Sequence, residues 1–205
     1  MINLQRKILI KMINNTSKEF IRRHIGPSEE DMDKMLKFIG VNSLDDLIKK
    51  LAAAQQEGGY LNTYYTLVEP DKRWSNLPVM HELYCAGHLF EAAVAHYRST
   101  GKQNLLDIAI RFADEIDHVF GYDGLVGVPG HEEIELALVK LYQVTNEKRY
   151  LDLAKFFIDK RGNSDRDYAQ DHLPVREQNQ IVGHAVRAMY LYAGVADVVR
   201  YTHDQ

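Results

Sequence analysis

VMHELYCAGHLFEAAVAHYRST, residues 79–100, is the stretch whose reading decides the fold. Leu83, Ala86, Phe90, Ala93, Val94 and Tyr97 recur at three- and four-residue steps, the period of a helix. Cys85, Leu89 and Ala92 add apolar positions on the opposite side, so the spacing predicts a helix buried between other helices. His81, Glu82, His88 and Glu91 lie in the same stretch. Buried polar groups need partners, and His and Glu near the start of a buried helix make it a candidate wall of a polar pocket.

The pattern continues outward. Residues 105–120 read as an amphipathic helix on Leu105, Ile108, Ala109, Phe112, Ile116 and Val119. A glycine-rich connection follows over 121–130. Helices are then predicted at 131–144, 150–161 and 178–199, with a polar loop over 162–175. TGKQNLLDIAIRFAD (100–114) and TNEKRYLDLAKFFID (145–159) match at an offset of 45 in the leading Thr, in Leu-Asp-x-Ala and in the final Asp. The preceding helices match as well: Leu89, Ala92, Val94 and Tyr97 fall on Ile134, Ala137, Val139 and Tyr142. The repeating unit is therefore an αα-hairpin with a buried first helix and an amphipathic second. Such hairpins stack into a solenoid or close into an α/α toroid. Nearly continuous apolar first helices favour an all-α toroid in which they form the inner ring.

Composition bounds the function. The chain has 205 residues, 45% hydrophobic and 26% charged, enough for an ordinary domain with a real core. No apolar run approaches a membrane span, and MINLQRKILIK lacks the apolar stretch and cleavage site of a secretory signal, so a cytoplasmic protein with no membrane partner is expected. The single cysteine, Cys85, excludes an internal disulfide framework and a multi-cysteine metal site within these residues. A net charge of −4 argues against nucleic acid as the partner. The charge is uneven: residues 1–51 carry a balance of +3 and residues 52–205 one of −7, and Trp74 and all twelve Tyr follow residue 59. This predicts a boundary near Leu51, with a short helical leader over 1–50 and the main domain over 51–205.

Residues 1–16 are basic and Asn-rich without a period, and read as a poorly ordered end. Ser28 with Asp31 opens a helix over 29–39 that Gly40 stops. Ser43 with Asp46 opens another that runs on through 51–57 to Gly58-Gly59. FIRRHIGPSEEDMDKMLKFIGVNSLDDLI (20–48) resembles the extreme N-terminus of the glycine dehydrogenase (decarboxylating) P-protein, a pyridoxal-phosphate enzyme. That family's cofactor lysine and phosphate-binding elements lie far downstream of this motif. The resemblance implies a borrowed or fused leader rather than glycine decarboxylation.

Several residues carry chemistry. The aromatic-rich stretch 60–78, with Tyr60, Tyr64, Tyr65 and Trp74, either stacks a flat ligand such as a sugar or seals one end of the core. His81, Cys85 and His88 share one helical face, which suits a metal, but a packed cysteine flanked by hydrogen-bonded histidines is favoured, so no metal is expected here. His131 and His184 each follow a glycine at the start of an inner helix, and Gly87-His88 is a third such pair. They are pocket histidines that hydrogen-bond a polar ligand, or structural groups at helix ends; the recurrence favours the pocket. Glu82, Glu132, Glu133 and Glu135 are acid/base candidates, since glycosidases need paired carboxylates. Acidic residues near helix N-termini also complement the dipole, which takes precedence here. Asp171, His172 and Arg176 are either pocket-edge groups or part of a solvated loop.

A second resemblance covers most of the chain. GGYLNTYYTLVEPDKRWSNL, HELYCAGHLFEAAVAHY, LLDIAIRFADEIDHVFG, PGHEEIELALVKLYQVT, YLDLAKFFIDKRG and QDHLPVREQNQIVGHAVRAMYLYAGVADV, in order across residues 51–199, resemble glycoside hydrolase family 127, the β-L-arabinofuranosidases. The resemblance implies an (α/α)6 barrel followed by β-sandwich domains. It implies retaining hydrolysis by a cysteine nucleophile and a glutamate acid/base, with a zinc bound by cysteines and a glutamate. It implies a substrate-binding set of His81, His88, Pro129, Gly130, His131 and His184. The family's nucleophile, zinc cysteines and acid/base follow the matched region, and Cys85 lies in the wrong motif to replace them. The expectation is a fragment of a glycosidase with part of an L-arabinofuranoside pocket, no catalytic residue and no cofactor of its own, inactive alone. Its incomplete ring of inner helices is open to self-association. The alternative is a noncatalytic carbohydrate-binding or interaction module built of α-hairpins.

Overall fold

The structure, a computed structural model, describes residues 26–204. The expectation for residues 1–16, and residues 20–25 of the leader motif, lie outside the described residues. The chain divides into two compact units, Met1–Lys50 and Leu51–Gln205.

In the first unit, α1 spans Glu29–Ile39. Ser28 accepts the Asp31 N–H while the Asp31 carboxylate takes the Ser28 N–H, the reciprocal capping box that the sequence predicts. Ser43 Oγ accepts the Asp46 N–H at 3.1 Å at the start of α2, Leu44–Ala54, whose last residues 51–54 already count to the second unit. That helix stops short of the predicted run to residue 57.

In the second unit, α3 (Thr63–Leu67) is followed by α4 (Glu82–Thr100), α5 (Asn104–Val119), α6 (Ile134–Thr145), α7 (Lys148–Lys160) and α8 (Ala185–Thr202). Single 3-10 turns lie at Pro70–Lys72, Asp167–Ala169 and Val175–Glu177, and no strand occurs among the described residues. The packing follows the hairpin reading. α4, α6 and α8 lie side by side; α5 packs on α4, α7 packs on α6, and α5 touches α7. This is one inner row and one outer row, an arc of an α/α toroid.

The repeat is visible in the joints. Thr100 ends α4, and Gly101 caps it with φ 72° and an N–H donated to the Tyr97 carbonyl. Forty-five residues on, Thr145 ends α6, and Asn146 takes the same left-handed place with φ 59° and donates to Tyr142. Gly and Asn are the residues that adopt this conformation at least cost. Thr202 and His203 (φ 57°) end α8 in the same way.

One expectation is corrected. The helix enclosed most fully is α6, not α4: Ile134, Leu136, Ala137, Leu138, Val139 and Leu141 are all buried. α4 buries a stripe of Leu83, Ala86, Phe90, Ala93 and Val94 but leaves Cys85, Ala92 and Ala95 exposed. α6 has inner neighbours on both sides, whereas α4 has α6 on one side. The aromatic stretch also resolves. Tyr60, Tyr65 and Trp74 are buried, with Trp74 edge-on to Tyr60 at 5.2 Å and to Phe120 at 5.3 Å, so these rings seal the core. Asn62 caps α3 within it, a short helix that the sequence reading treats as loop.

Candidate functional site

The segment before α6 organises the site. The predicted helix over 131–144 starts three residues late, because Glu132 and Glu133 turn inward instead of starting a helical turn. Glu132, Glu133 and Glu135 are all fully buried, and one buried cation, Arg161 at the end of α7, faces two of them. Its guanidinium lies 3.0 Å from Glu132 and 3.3 Å from Glu135, and donates to the Ala169 carbonyl at 2.9 Å and the Pro129 carbonyl at 3.0 Å. Glu135 also accepts the Glu133 N–H at 3.0 Å, which ties down the first turn of α6. Neither carboxylate oxygen of Glu132 or Glu133 receives an aligned hydrogen bond. Burial pushes the Glu132 carboxyl up to about 7 against the pull of Arg161; burial, with the Glu135 charge beside it, pushes Glu133 up to about 7.

This frame presents His131. Gly130 packs so tightly that a Cβ would sit 1.9 Å from the Pro78 carbonyl oxygen, and its N–H donates to Leu77 O at 2.9 Å. Arg187 of α8 donates to the Gly130 carbonyl. His131 Nδ1 lies 2.8 Å from the Glu132 carbonyl; a proton on Nδ1 satisfies that contact and leaves Nε2 an acceptor. Around it stand Tyr84 (4.4 Å between ring centres), Tyr190 of α8 (5.5 Å) and His81 (6.2 Å). His88 joins through Tyr84 at 4.4 Å and Tyr190 at 6.2 Å. His81 is exposed, and the other four rings are half-buried. Burial holds both His88 and His131 below the ordinary histidine pKa, so both are neutral near pH 7. The result is a half-open surface of neutral imidazoles and phenols, able to give and take hydrogen bonds and to stack on an apolar ring face.

The other predicted residues fall elsewhere. Pro129 and Gly130 are buried with their carbonyls held by Arg161 and Arg187. His184 caps α8, accepting the Arg187 N–H at 3.4 Å, and packs on Tyr168 at 5.3 Å. Its cap is why α8 begins at Ala185 and not at the predicted residue 178. Glu82 is buried and accepts from the Tyr60 hydroxyl and the Trp74 N–H, a structural duty. Asp171 is buried and gathers Gly162 N–H, Ser164 and Arg166 within its own loop, so it serves the loop and not a ligand. Arg176 pairs with Asp159 and Asp204. Cys85 is exposed and stands outside the one metal-ligand grouping found among the described residues, His88, Glu91 and Glu133. Sequence reasoning missed Tyr84, Tyr190, Arg161 and Arg187. For the two tyrosines a signal existed: Tyr84 sits one turn before His88, and Tyr190 follows His184 on an inner helix.

The profile of the β-L-arabinofuranosidase GH127 catalytic domain matches residues 39–205. The chain belongs to the GH127 family. Within GH127, it is similar to the crystal structure of Ara127N-Se, a β-L-arabinofuranosidase from Geobacillus stearothermophilus T6, at 48% identity and a TM-score of 0.76, covering 84% of this chain and 30% of that one. It is also 41% identical over 190 residues to a non-reducing end β-L-arabinofuranosidase of Bifidobacterium longum subsp. longum, covering 78% of this chain and 29% of the relative. The chain thus spans under a third of the length of these GH127 relatives. Over 38 residues the chain is 55% identical to glycine dehydrogenase (decarboxylating) of Pelagibacter ubique, 18% of this chain and 4% of that protein.

The GH127 resemblance implies a zinc bound by cysteines. These residues do not fit it: the lone cysteine is exposed and belongs to no grouping of three or more metal-ligand residues among the described residues. No step of chemistry is routed through that metal.

Proposed function

We propose that this GH127 chain supplies part of the sugar-recognition surface of a β-L-arabinofuranosidase, and that it binds an L-arabinofuranoside-type sugar without hydrolysing it alone. The observation that carries this reading is the half-open cluster of His81, Tyr84, His88, His131 and Tyr190, built from three inner elements of the family-matched region. His131 Nε2 and the tyrosine hydroxyls take sugar hydroxyls, and the ring faces take the apolar side of the sugar. His184, bonded through its own helix cap, lies at the edge of this surface. Pro129 and Gly130 act through the backbone that orients His131. One cysteine cannot serve both as nucleophile and as a set of cysteine ligands for zinc, so hydrolysis is not expected of these residues by themselves.

The reading extends to a cytoplasmic location, tested by cell fractionation; no helix among the described residues is long and apolar enough to cross a membrane. It extends also to self-association through the exposed inner face, where Val186 and Met189 of α8 are open. Sedimentation of wild type against Met189→Lys tests this: loss of an oligomer is expected, and a monomer in both refutes it.

The central experiment pairs an aryl β-L-arabinofuranoside assay with thermal unfolding in L-arabinose. No turnover and an upward Tm shift that His131→Ala abolishes are expected. Zinc-independent turnover that survives His131→Ala overturns the first half. A cooperative transition indifferent to the sugar overturns the second.

A further inference from the structure

We propose that His88, Glu91 and Glu133 form a site for a zinc-type divalent cation, distinct from the cysteine-bound zinc implied by the family and sharing His88 with the proposed sugar surface. One ligand atom from each residue lies within 4.8 Å of the others, and His88 Nδ1 stands 3.2 Å from Glu133 Oε1. Ligand atoms at about 2.1 Å from a zinc ion are roughly 3.4 Å apart in a tetrahedron. The His88–Glu133 edge already has that length. Only Glu91, a half-buried side chain with rotamer freedom, must close in.

The independent pointer is Glu133. It is fully buried, and neither of its carboxylate oxygens receives a hydrogen bond. The buried guanidinium nearby is committed to Glu132 and Glu135. An uncompensated buried carboxylate is costly, and a cation beside it removes the cost. Without one, burial drives the Glu133 carboxyl up to about 7. Burial likewise holds His88 below the ordinary histidine value, which keeps its imidazole in the neutral form that binds metals.

One imidazole nitrogen with two carboxylates selects zinc or manganese over soft or purely oxygen-loving ions. His88 and Glu91 line an open groove of about 450 Å³, so a fourth position is accessible to water or a ligand oxygen. Lys140 lines the same groove and holds Glu91 Oε1, and Arg98, also there, donates to Gln143 at 2.6 Å. The Lys140 ammonium satisfies Glu91 when no metal is bound and competes with its entry. It therefore sets the affinity.

The test is calorimetric titration of the whole chain with ZnCl2 and with MnCl2, with Tm read in parallel. One-to-one binding is expected. Glu133→Gln and His88→Gln each weaken it at least tenfold, Lys140→Gln tightens it several-fold, and His96→Ala leaves it unchanged. His88 is half-exposed, so His88→Gln reads the site even if Glu133→Gln disturbs folding. No binding by the folded wild type overturns the proposal. So does binding that survives His88→Gln, or that Lys140→Gln weakens, because the ion then sits on surface histidines.

Discussion

Arg161→Met removes the one buried cation of the site and keeps much of its apolar stem. The guanidinium and both partner carboxylates are at 0–1% exposure, with separations of 3.0 and 3.3 Å. Breaking a buried pair from one side costs about 3–5 kcal/mol, because the remaining charge has nowhere to go. The carbonyls of Pro129 and Ala169 lose a donor as well. A loss of about 4 kcal/mol at pH 7.5 is therefore expected, a large share of the stability of an ordinary domain. The loss must depend on pH. With Arg161 gone, the Glu132 carboxyl, which burial already raises against the pull of Arg161, binds its proton still more readily in the folded than in the unfolded state, so acidification toward pH 5 restores part of it. Urea unfolding followed by near-UV circular dichroism at both pH values measures this. A loss below about 1 kcal/mol, or an equal loss at both pH values, refutes the argument that Arg161 neutralises the segment before α6.

Three further outcomes follow from the same geometry. Glu132 and Glu133 have carboxyls raised from 4.5 to about 7, so the folded state holds protons that the unfolded state has released. Their stabilising effect is full below pH 4.5 and is lost as pH rises through 7, by at most roughly 3 kcal/mol each; urea unfolding across this range should show a shallower decline in Glu133→Gln. Gly130→Ala places a Cβ against the Pro78 carbonyl and should cost at least about 2 kcal/mol in the same assay. Asn146→Gly should be neutral or slightly stabilising in thermal unfolding, and Asn146→Val should cost about 1–2 kcal/mol, since φ there is 59°.

What was legible in the sequence was local or periodic. The bounds of α1 follow from Ser28, Asp31 and Gly40, all within one or two turns. The hairpin repeat follows from matching side chains 45 residues apart, and the left-handed Gly101 and Asn146 occupy the same joint. The third joint, Thr202-His203, escaped because histidine is no marker of that conformation. The burial of α6 over α4 was not legible either. Alanine and cysteine serve equally on an inner wall and on an open face, and only the neighbours of each helix decide. The candidate site divides along the same line. His81, His88 and His131, which the structure brings into one cluster, were singled out because histidines in or just before apolar helices stand out in the sequence. Arg161 lies 29 residues after Glu132 and reads as a solvated helix end, so only the fold reveals it as the counter-ion of a buried acidic segment. The inward turn of Glu132 goes with that pairing and was hidden with it.

The central claim is that the imidazole–phenol cluster meets a sugar. Its most direct test is NMR of histidine side chains in the whole chain during titration with methyl β-L-arabinofuranoside. The account predicts saturable shifts at His131 and His88, smaller ones at His184, none at His203, and loss of the response in a folded His131→Ala variant. Unmoved His131 and His88 resonances in a folded chain, at sugar concentrations that saturate a millimolar site, would contradict it.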